Sequence, residues 1–362
     1  MTDLDNIMVK NADRALKIQL KDGSFPAGHN GPWKNKDTPV RITAHQTLVL
    51  LETYKMTKQP RYKLGAMKSA KYLIDSFERH GGHAFRCCES SRKEIEVNGL
   101  IGQAWAVEAL LAAGSVLKSK EALRTAETVL QNHCFDTNLG LWNMHSKEGE
   151  SLGINHSMNQ QVWFALMHLR AGRALKNKTL LKRYSMFMDR LPRTIRRSGK
   201  IMDMWIDENV LIGQPHQYLL RKVQRIRKRK QLWEESIGYL SFTLLGLALI
   251  RKEDPQGNVW RDDRIIKLIA NSLEEANKKH LPAESMNRFM FRYNMTGFEM
   301  ACAIGAFTNR STEDKSLESA WINKQLDLHL DRRTGLLDVK VSDKRTVPPR
   351  IYEASYLKRC CP

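Results

Sequence analysis

The chain lacks the marks of an exported or membrane-spanning protein. Its opening, MTDLDNIMVK, is acidic and polar rather than charged, apolar and then small, so no secretory leader is expected. Its longest apolar run, 237–250, is interrupted by Tyr239, Ser241 and Thr243. It falls short of the roughly 18 residues of a spanning helix and reads as a core helix. The six cysteines, Cys87, Cys88, Cys134, Cys302, Cys360 and Cys361, form two adjacent pairs and two singles. That pattern fits neither zinc spacing nor a secreted disulfide framework. A reduced, cytoplasmic setting is therefore expected. No pair of histidines stands at metal spacing beside carboxylates, and there is no phosphate-cradling glycine loop, nucleotide fingerprint or serine elbow. No metal and no cofactor is expected. Solid strand runs are also missing; a short segment such as 336–341 suits a hairpin in a loop.

Acid is scarce relative to base. With 59 Lys and Arg against 39 Asp and Glu the formal charge is +20. Seven of the ten residues in RKVQRIRKRK (221–230) are basic. A solvated face accounts for such a run most simply. The sharper alternative is a surface for anions, whether acidic glycan, nucleic acid or the headgroups around a lipid-linked substrate. No nucleic-acid-binding motif accompanies the charge and no aromatics are interleaved with it, which puts nucleic acid last. A position at the inner face of the membrane is compatible with the same charge.

What the chain does have is helix, in two alternating kinds. Segments 5–20, 61–78, 121–132, 179–189, 262–277 and 316–329 are amphipathic and charged. Segments 43–54, 98–113, 158–169, 236–250, 296–307 and, more weakly, 350–357 are apolar nearly all round. A helix apolar all round is buried all round. The stretch NGLIGQAWAVEALLAAG (98–114) is the clearest case: Asn98 is placed to cap it, Gly114 to end it in a left-handed turn, and Gly99 and Gly102 to admit close neighbours. Six pairs of one exposed and one buried helix predict an all-α (α/α)6 toroid, a six-hairpin barrel with minor β-hairpins in its loops, spanning 1–362 as a single catalytic domain; an open solenoid of helix pairs is the competitor. Links from outer to inner helices are long and would gather at one face of such a ring, as functional loops do. They carry Trp33, Trp142, His156, Trp205 and Tyr293, side chains suited to stacking on sugars.

Several stretches resemble one superfamily, the six-hairpin glycosidases and sugar epimerases. They are DGSFPAGHNGPW and TPVRITAH (within 22–45), NGLIGQAWAVEALL (98–111), FDTNLGLW (135–142), NQQVWFA (159–165), EESIGYLSF (234–242), YNMTGFE (293–299) and RIYEAS (350–355). Within the superfamily they are similar to an uncharacterised branch from surface-polysaccharide and protein-glycan assembly, more distantly to unsaturated glucuronyl hydrolases and glucuronyl C5-epimerases. That branch usually has His where this chain has Gln160. The resemblance implies a carbohydrate-active enzyme working on an acidic glycan or lipid-linked saccharide.

In such a ring the N-termini of the inner helices face the mouth, where their free N–H groups favour anions. Arg41 and Arg350 are then the expected carboxylate clamps, with His45, Trp33, Asn98, Gln103, Trp142, His156, Asn159, Gln161, Tyr293, Asn294 and Tyr352 as further substrate contacts. Hydrolysis of a uronic-acid linkage needs two carboxyl groups, for which Glu299 and Glu235 are the leading candidates, with Glu353 and Tyr239 in support. Epimerisation beside a carboxylate is the rival: it needs a base, an acid and a cation, which a tyrosine, a glutamate and an arginine supply. A non-catalytic glycan-binding toroid is the third reading.

Overall fold

In the computed structural model, which describes residues 3–195, 201–203, 205–212, 215–283 and 287–360, outer and inner helices alternate six times. Cys361 lies outside the described residues. The pairs are α1 (Asp3–Ile18) with α2 (Pro39–Thr57), α3 (Pro60–Arg79) with α5 (Gly99–Leu117), and α6 (Lys120–Asn132) with α7 (Met158–Leu175). They continue as α8 (Lys178–Thr194) with α11 (Leu240–Glu253), α12 (Asp263–Glu275) with α13 (Thr296–Phe307), and α14 (Thr312–His329) with α15 (Ala354–Cys360). Three further helices lie in the links: α4 (Lys93–Glu96), α9 (Pro215–Arg227) and α10 (Arg229–Gly238).

The ring closes. Each inner helix packs on the next, and the 3₁₀ turn Pro348–Glu353 that leads into α15 packs back on α2. A solenoid would leave those two ends apart. One continuous apolar core runs from Ile7 to Cys360. The stretch Lys93–Leu117 has the length and apolarity of a membrane span, yet it is mostly buried here as the link helix α4 and the inner helix α5.

Local chemistry sets where the helices begin and end. Four outer helices start on polar caps: Ser119 for α6, Asn177 for α8, Asp262 for α12, and a Ser311–Asp314 capping box for α14. The turns from inner to outer helices are tight, and three of them pivot on a left-handed lysine, Lys58, Lys118 and Lys176. Links in the other direction are long, and two of them fold into small antiparallel sheets. One has three strands, Phe135–Asp136, Leu141–His145 and Ser151–Ile154; the other pairs Leu330–Asp331 with Leu336–Leu337.

Four details depart from the sequence expectation. Asn98 does not cap α5; its own backbone is left-handed (φ 53°) and its side chain makes no capping bond. The acceptor comes instead from the neighbouring inner helix, where Gln160 Oε1 receives the N–H groups of Leu100 at 2.9 Å and Ile101 at 3.3 Å. Gly114 does not end α5, which runs on to Leu117; a Cβ there would lie 2.3 Å from Leu123, so Gly114 serves the packing of α5 on α6. The segment expected as one helix over 236–250 is broken at Tyr239, between α10 and α11. That break leaves Glu235 in α10 rather than in the first turn of an inner helix.

Candidate active site

Among the inner helices, α2 is capped by Thr38, but the four that follow it start differently. α5, α7, α11 and α13 have no side-chain cap of their own, and around their N-terminal ends lies a cavity of about 410 Å³. Carboxamides and aromatic rings make up most of its wall. Asn30, Asn35, Asn98, Asn155, Asn159, Gln160 and Asn294 supply the amides; Trp33, Trp105, Trp205, Tyr239, Phe242 and Tyr293 supply the rings. Its titratable lining groups are Arg92, Glu94, His156 and Arg221 with the two tyrosines.

The wall is held from behind. The 3₁₀ turn Gly31–Trp33 lies against Tyr293 so closely that a Cβ on Gly31 (φ 41°) would meet the ring at 2.1 Å. Trp33 Nε1 donates to the Tyr239 hydroxyl at 3.0 Å. The Tyr293 hydroxyl donates to Asn30 Oδ1 at 2.6 Å, and Arg41 donates to the same oxygen at 2.9 Å. Gly99 also has a positive φ (57°), and a Cβ there would come within 2.2 Å of Gln160 Oε1. Only glycine lets that amide reach across to cap α5.

Beneath the wall lies a buried ion cluster. Arg350 donates to Glu299 at 2.7 Å, to Glu353 at 2.6 Å and to Asn294 Oδ1 at 2.7 Å; Ser241 donates to the other oxygen of Glu299 at 2.6 Å. Burial raises the pKa of both glutamates, with Arg350 pulling the other way, and pushes Glu353 up to about 8. Arg41 is engaged similarly with Asp37 at 2.5 Å. His45 stacks on Tyr352 and meets Trp105 edge-on; burial, then Arg350 and Arg41, hold its pKa well below the usual value.

Of the residues singled out from sequence, the cavity gathers Trp33, Asn98, His156, Asn159, Trp205, Tyr239, Tyr293 and Asn294. The others lie elsewhere. Arg41, His45, Glu299, Arg350, Tyr352 and Glu353 are all buried beneath or beside the wall. Gln103 binds the backbone of Phe85 and Val97, and Gln161 that of Trp142 and Asn155. Trp142 is fully buried among Phe164, His168 and Phe187, with its Nε1 on His168. Its strand pairs residue 142 with Phe135 and turns the ring into the core. Glu235 is buried on α10, bonded to Gln231, and burial raises its pKa. The expected clamps Arg41 and Arg350 thus have carboxylates inside the protein, while Arg92 and Arg221 face the cavity. Sequence patterns missed Arg92, Asn30, Asn155 and Trp105, whereas Arg221 belongs to the basic run 221–230 that the sequence marks as a surface for anions. The NQQ run around Gln160 is the one signal that pointed near the amide wall.

Several polar atoms of this wall have no partner: Trp105 Nε1, Trp205 Nε1 and His156 Nδ1 are buried and unbonded. Buried polar groups are almost always paired, so these three atoms mark where a polar ligand can bind. Burial, followed by the nearby charge of Arg221, lowers the His156 pKa to about 3, leaving the imidazole neutral. Burial raises the pKa of Tyr239 well above the usual phenol value and that of Tyr293 in the same direction, so both keep their protons. Arg221 lies over the Trp205 ring at 4.7 Å. Among the described residues, no three His, Cys, Asp or Glu side chains converge to hold a metal ion.

The closed ring and the cavity at its helix N-termini define a six-hairpin (α/α)6 toroid. Solved structures with the same fold include cellobiose 2-epimerase from Bacillus thermoamylovorans B4167, with a TM-score of 0.71 and 11% identity over 99% of this chain and 100% of that one. Another is the unsaturated glucuronyl hydrolase of Bacillus sp. GL1, responsible for degradation of glycosaminoglycan, with a TM-score of 0.63 and 11% identity over 98% and 94%. No protein-family model matches the sequence. The chain is 32% identical over 371 aligned residues to archaeal glycosylation protein Q of Haloferax volcanii, covering 99% of this chain and 98% of that protein. It belongs to the family of that glycosylation protein.

Proposed function

We propose that this protein is a carbohydrate-active enzyme of glycan assembly that takes one unit of an acidic saccharide into the cavity and inverts a carbon centre by proton transfer. Kinship with a glycosylation protein supports the pathway, and the wall of carboxamides and rings supports the ligand class. Sugars present hydroxyl groups to amides and C–H faces to aromatics. Arg221 favours a sugar carboxylate.

The observation that carries the chemistry is His156: neutral, unbonded at Nδ1 and facing the cavity. The bound sugar carboxylate beside His156 raises the proton affinity that burial and Arg221 lower in the free protein, and the imidazole accepts the proton from the carbon next to that carboxylate. The electron pair left behind spreads onto the carboxylate oxygens, where Arg221 offsets its charge. Tyr239 or Tyr293 returns a proton to the opposite face of that carbon, and solvent restores the starting protonation. Substrate and product then differ only in configuration.

Hydrolysis by paired carboxyls is less well served. Glu299 and Glu353 are both bound to Arg350 below the wall, and the one carboxyl in the wall, Glu94, is held by Arg92 at 2.5 Å. The test is incubation with uronic-acid-containing saccharides in D₂O. Epimerisation incorporates deuterium at C5 without releasing a reducing end. A new reducing end without deuterium would replace this reading with hydrolysis, and neither change would favour a glycan-binding toroid.

A further inference from the structure

Helix α9 sits on the protein the wrong way round for a surface helix. Outer helices bury their apolar stripe and turn charge to solvent. On α9, Arg221 faces inward to the cavity, while Leu219, Leu220, Val223 and Ile226 are exposed, Leu219 by 61% and Ile226 by 74%. Positions 219, 223 and 226 recur at helical spacing and form one face, with Leu220 at its edge. Trp233 on α10 is exposed as well. Basic side chains border this face: Lys222, Arg227, Lys228, Arg229 and Lys230 are all exposed, and no acidic residue occurs from Pro215 to Trp233. Links at the same end of the ring add Lys34, Arg288, Arg292 and Lys340 around a second groove.

We infer that α9 and the start of α10 form a docking surface for an anionic lipid bilayer. An apolar helix face flanked by Lys and Arg buries its side chains at the boundary between headgroups and acyl chains, while the cations pair with lipid phosphates. The charge selects a membrane over a second copy of this chain. Two such faces brought together would oppose like charges, whereas an anionic bilayer neutralises them. Because Arg221 lines the cavity from the opposite side of the same helix, docking holds the cavity about one helix diameter, roughly 10 Å, from the lipid surface. The substrate class that follows is a saccharide presented on a membrane lipid rather than one free in solution. That last step rests on the proposed function; the docking does not.

The experiment is co-sedimentation of the whole protein with vesicles of phosphatidylcholine alone and of phosphatidylcholine and phosphatidylglycerol in equal parts, at low and high salt. Docking predicts binding to the anionic vesicles, weakened by salt. Leu219→Glu with Ile226→Glu weakens that binding roughly tenfold or more while leaving thermal unfolding unchanged, since both side chains are exposed. Lys228→Glu with Lys230→Glu weakens it and flattens the salt dependence. Failure of the unaltered protein to bind anionic vesicles at low salt overturns the proposal, as does equal binding by the Leu219 and Ile226 variant. A concentration-dependent dimer in buffer that this variant dissolves would also overturn it, assigning the face to a second copy. Deuterium exchange without docking removes only the membrane surface; docking without exchange removes only the enzymatic reading.

Discussion

Replacing Arg350 with Met tests the cluster beneath the cavity. Arg350 is 5% exposed at its side chain and is the cation shared by Glu299 and Glu353, themselves 0% and 1% exposed. Methionine fills much of the same volume but leaves two buried carboxyls without a counter-charge. Removing one partner of a buried ion pair typically costs about 3–5 kcal/mol. For 362 residues at roughly 2.1 cal/mol/K each, the unfolding entropy is about 0.76 kcal/mol/K, so the expected loss in Tm is about 4–7 °C. The loss also has a pH signature. Burial raises both carboxyl pKa values above the ordinary 4.5, Glu353 to about 8, and Arg350 opposes that rise. A carboxyl whose folded pKa lies above its unfolded value is best accommodated protonated. Stability is therefore complete below about pH 4.5 and declines as pH rises toward 8. Without the guanidinium both values climb further, so the deficit of the Arg350→Met variant is smallest near pH 5 and largest near pH 8. Calorimetry of both proteins at the two pH values measures the difference of differences. A Tm loss under about 1 °C at pH 8, or a deficit equal at both pH values, would refute the description of this cluster.

Other outcomes follow from the cavity. His156→Gln should lower kcat by roughly 10²–10⁴ with saccharide affinity within a few-fold of the original, read by exchange kinetics and calorimetric titration. Because burial holds the His156 pKa near 3, the imidazole is already neutral from pH 5 upward; kcat/KM should show no ascending limb near the ordinary histidine value of 6.5, and such a limb would count against His156 as the base. Gln160→Leu leaves the N–H groups of Leu100 and Ile101 without their acceptor, and a loss of about 1–2 kcal/mol in denaturant unfolding is expected. An unchanged midpoint would mean that water replaces the amide.

The physical reason for the readable part of this protein is periodicity. A helix that must be buried on all sides cannot carry charge, and one that coats it must, so the alternation of the two kinds along the chain exposes six hairpins before any contact is known. The long outer-to-inner links likewise marked one end of the ring as the working face, and eight of the residues expected from sequence at the site do line the cavity there. Residue type could not say which way a side chain turns. Trp142 looks like a sugar platform by type and lies in the core because its strand register turns it inward. Arg41 and Arg350 look like clamps and are engaged by carboxylates, Asp37 from the preceding turn and Glu299 from 51 residues upstream in the chain. Gln160 caps a helix 60 residues away, a bond with no local signature.

What the sequence by itself determined is therefore the six helical hairpins, their order and their burial, all of which follow from spacing within a few turns. Only the tertiary structure decided which polar groups meet the cavity and which meet one another. Closing the ring brings residues from all six hairpins to one axis, and there a side chain's direction and its nearest counter-charge depend on distant segments. The outward apolar face of α9 belongs to the same class of fact. Its pattern is that of any amphipathic helix, and only its placement, with Arg221 inward and leucine outward, distinguishes it from the helices that coat the ring.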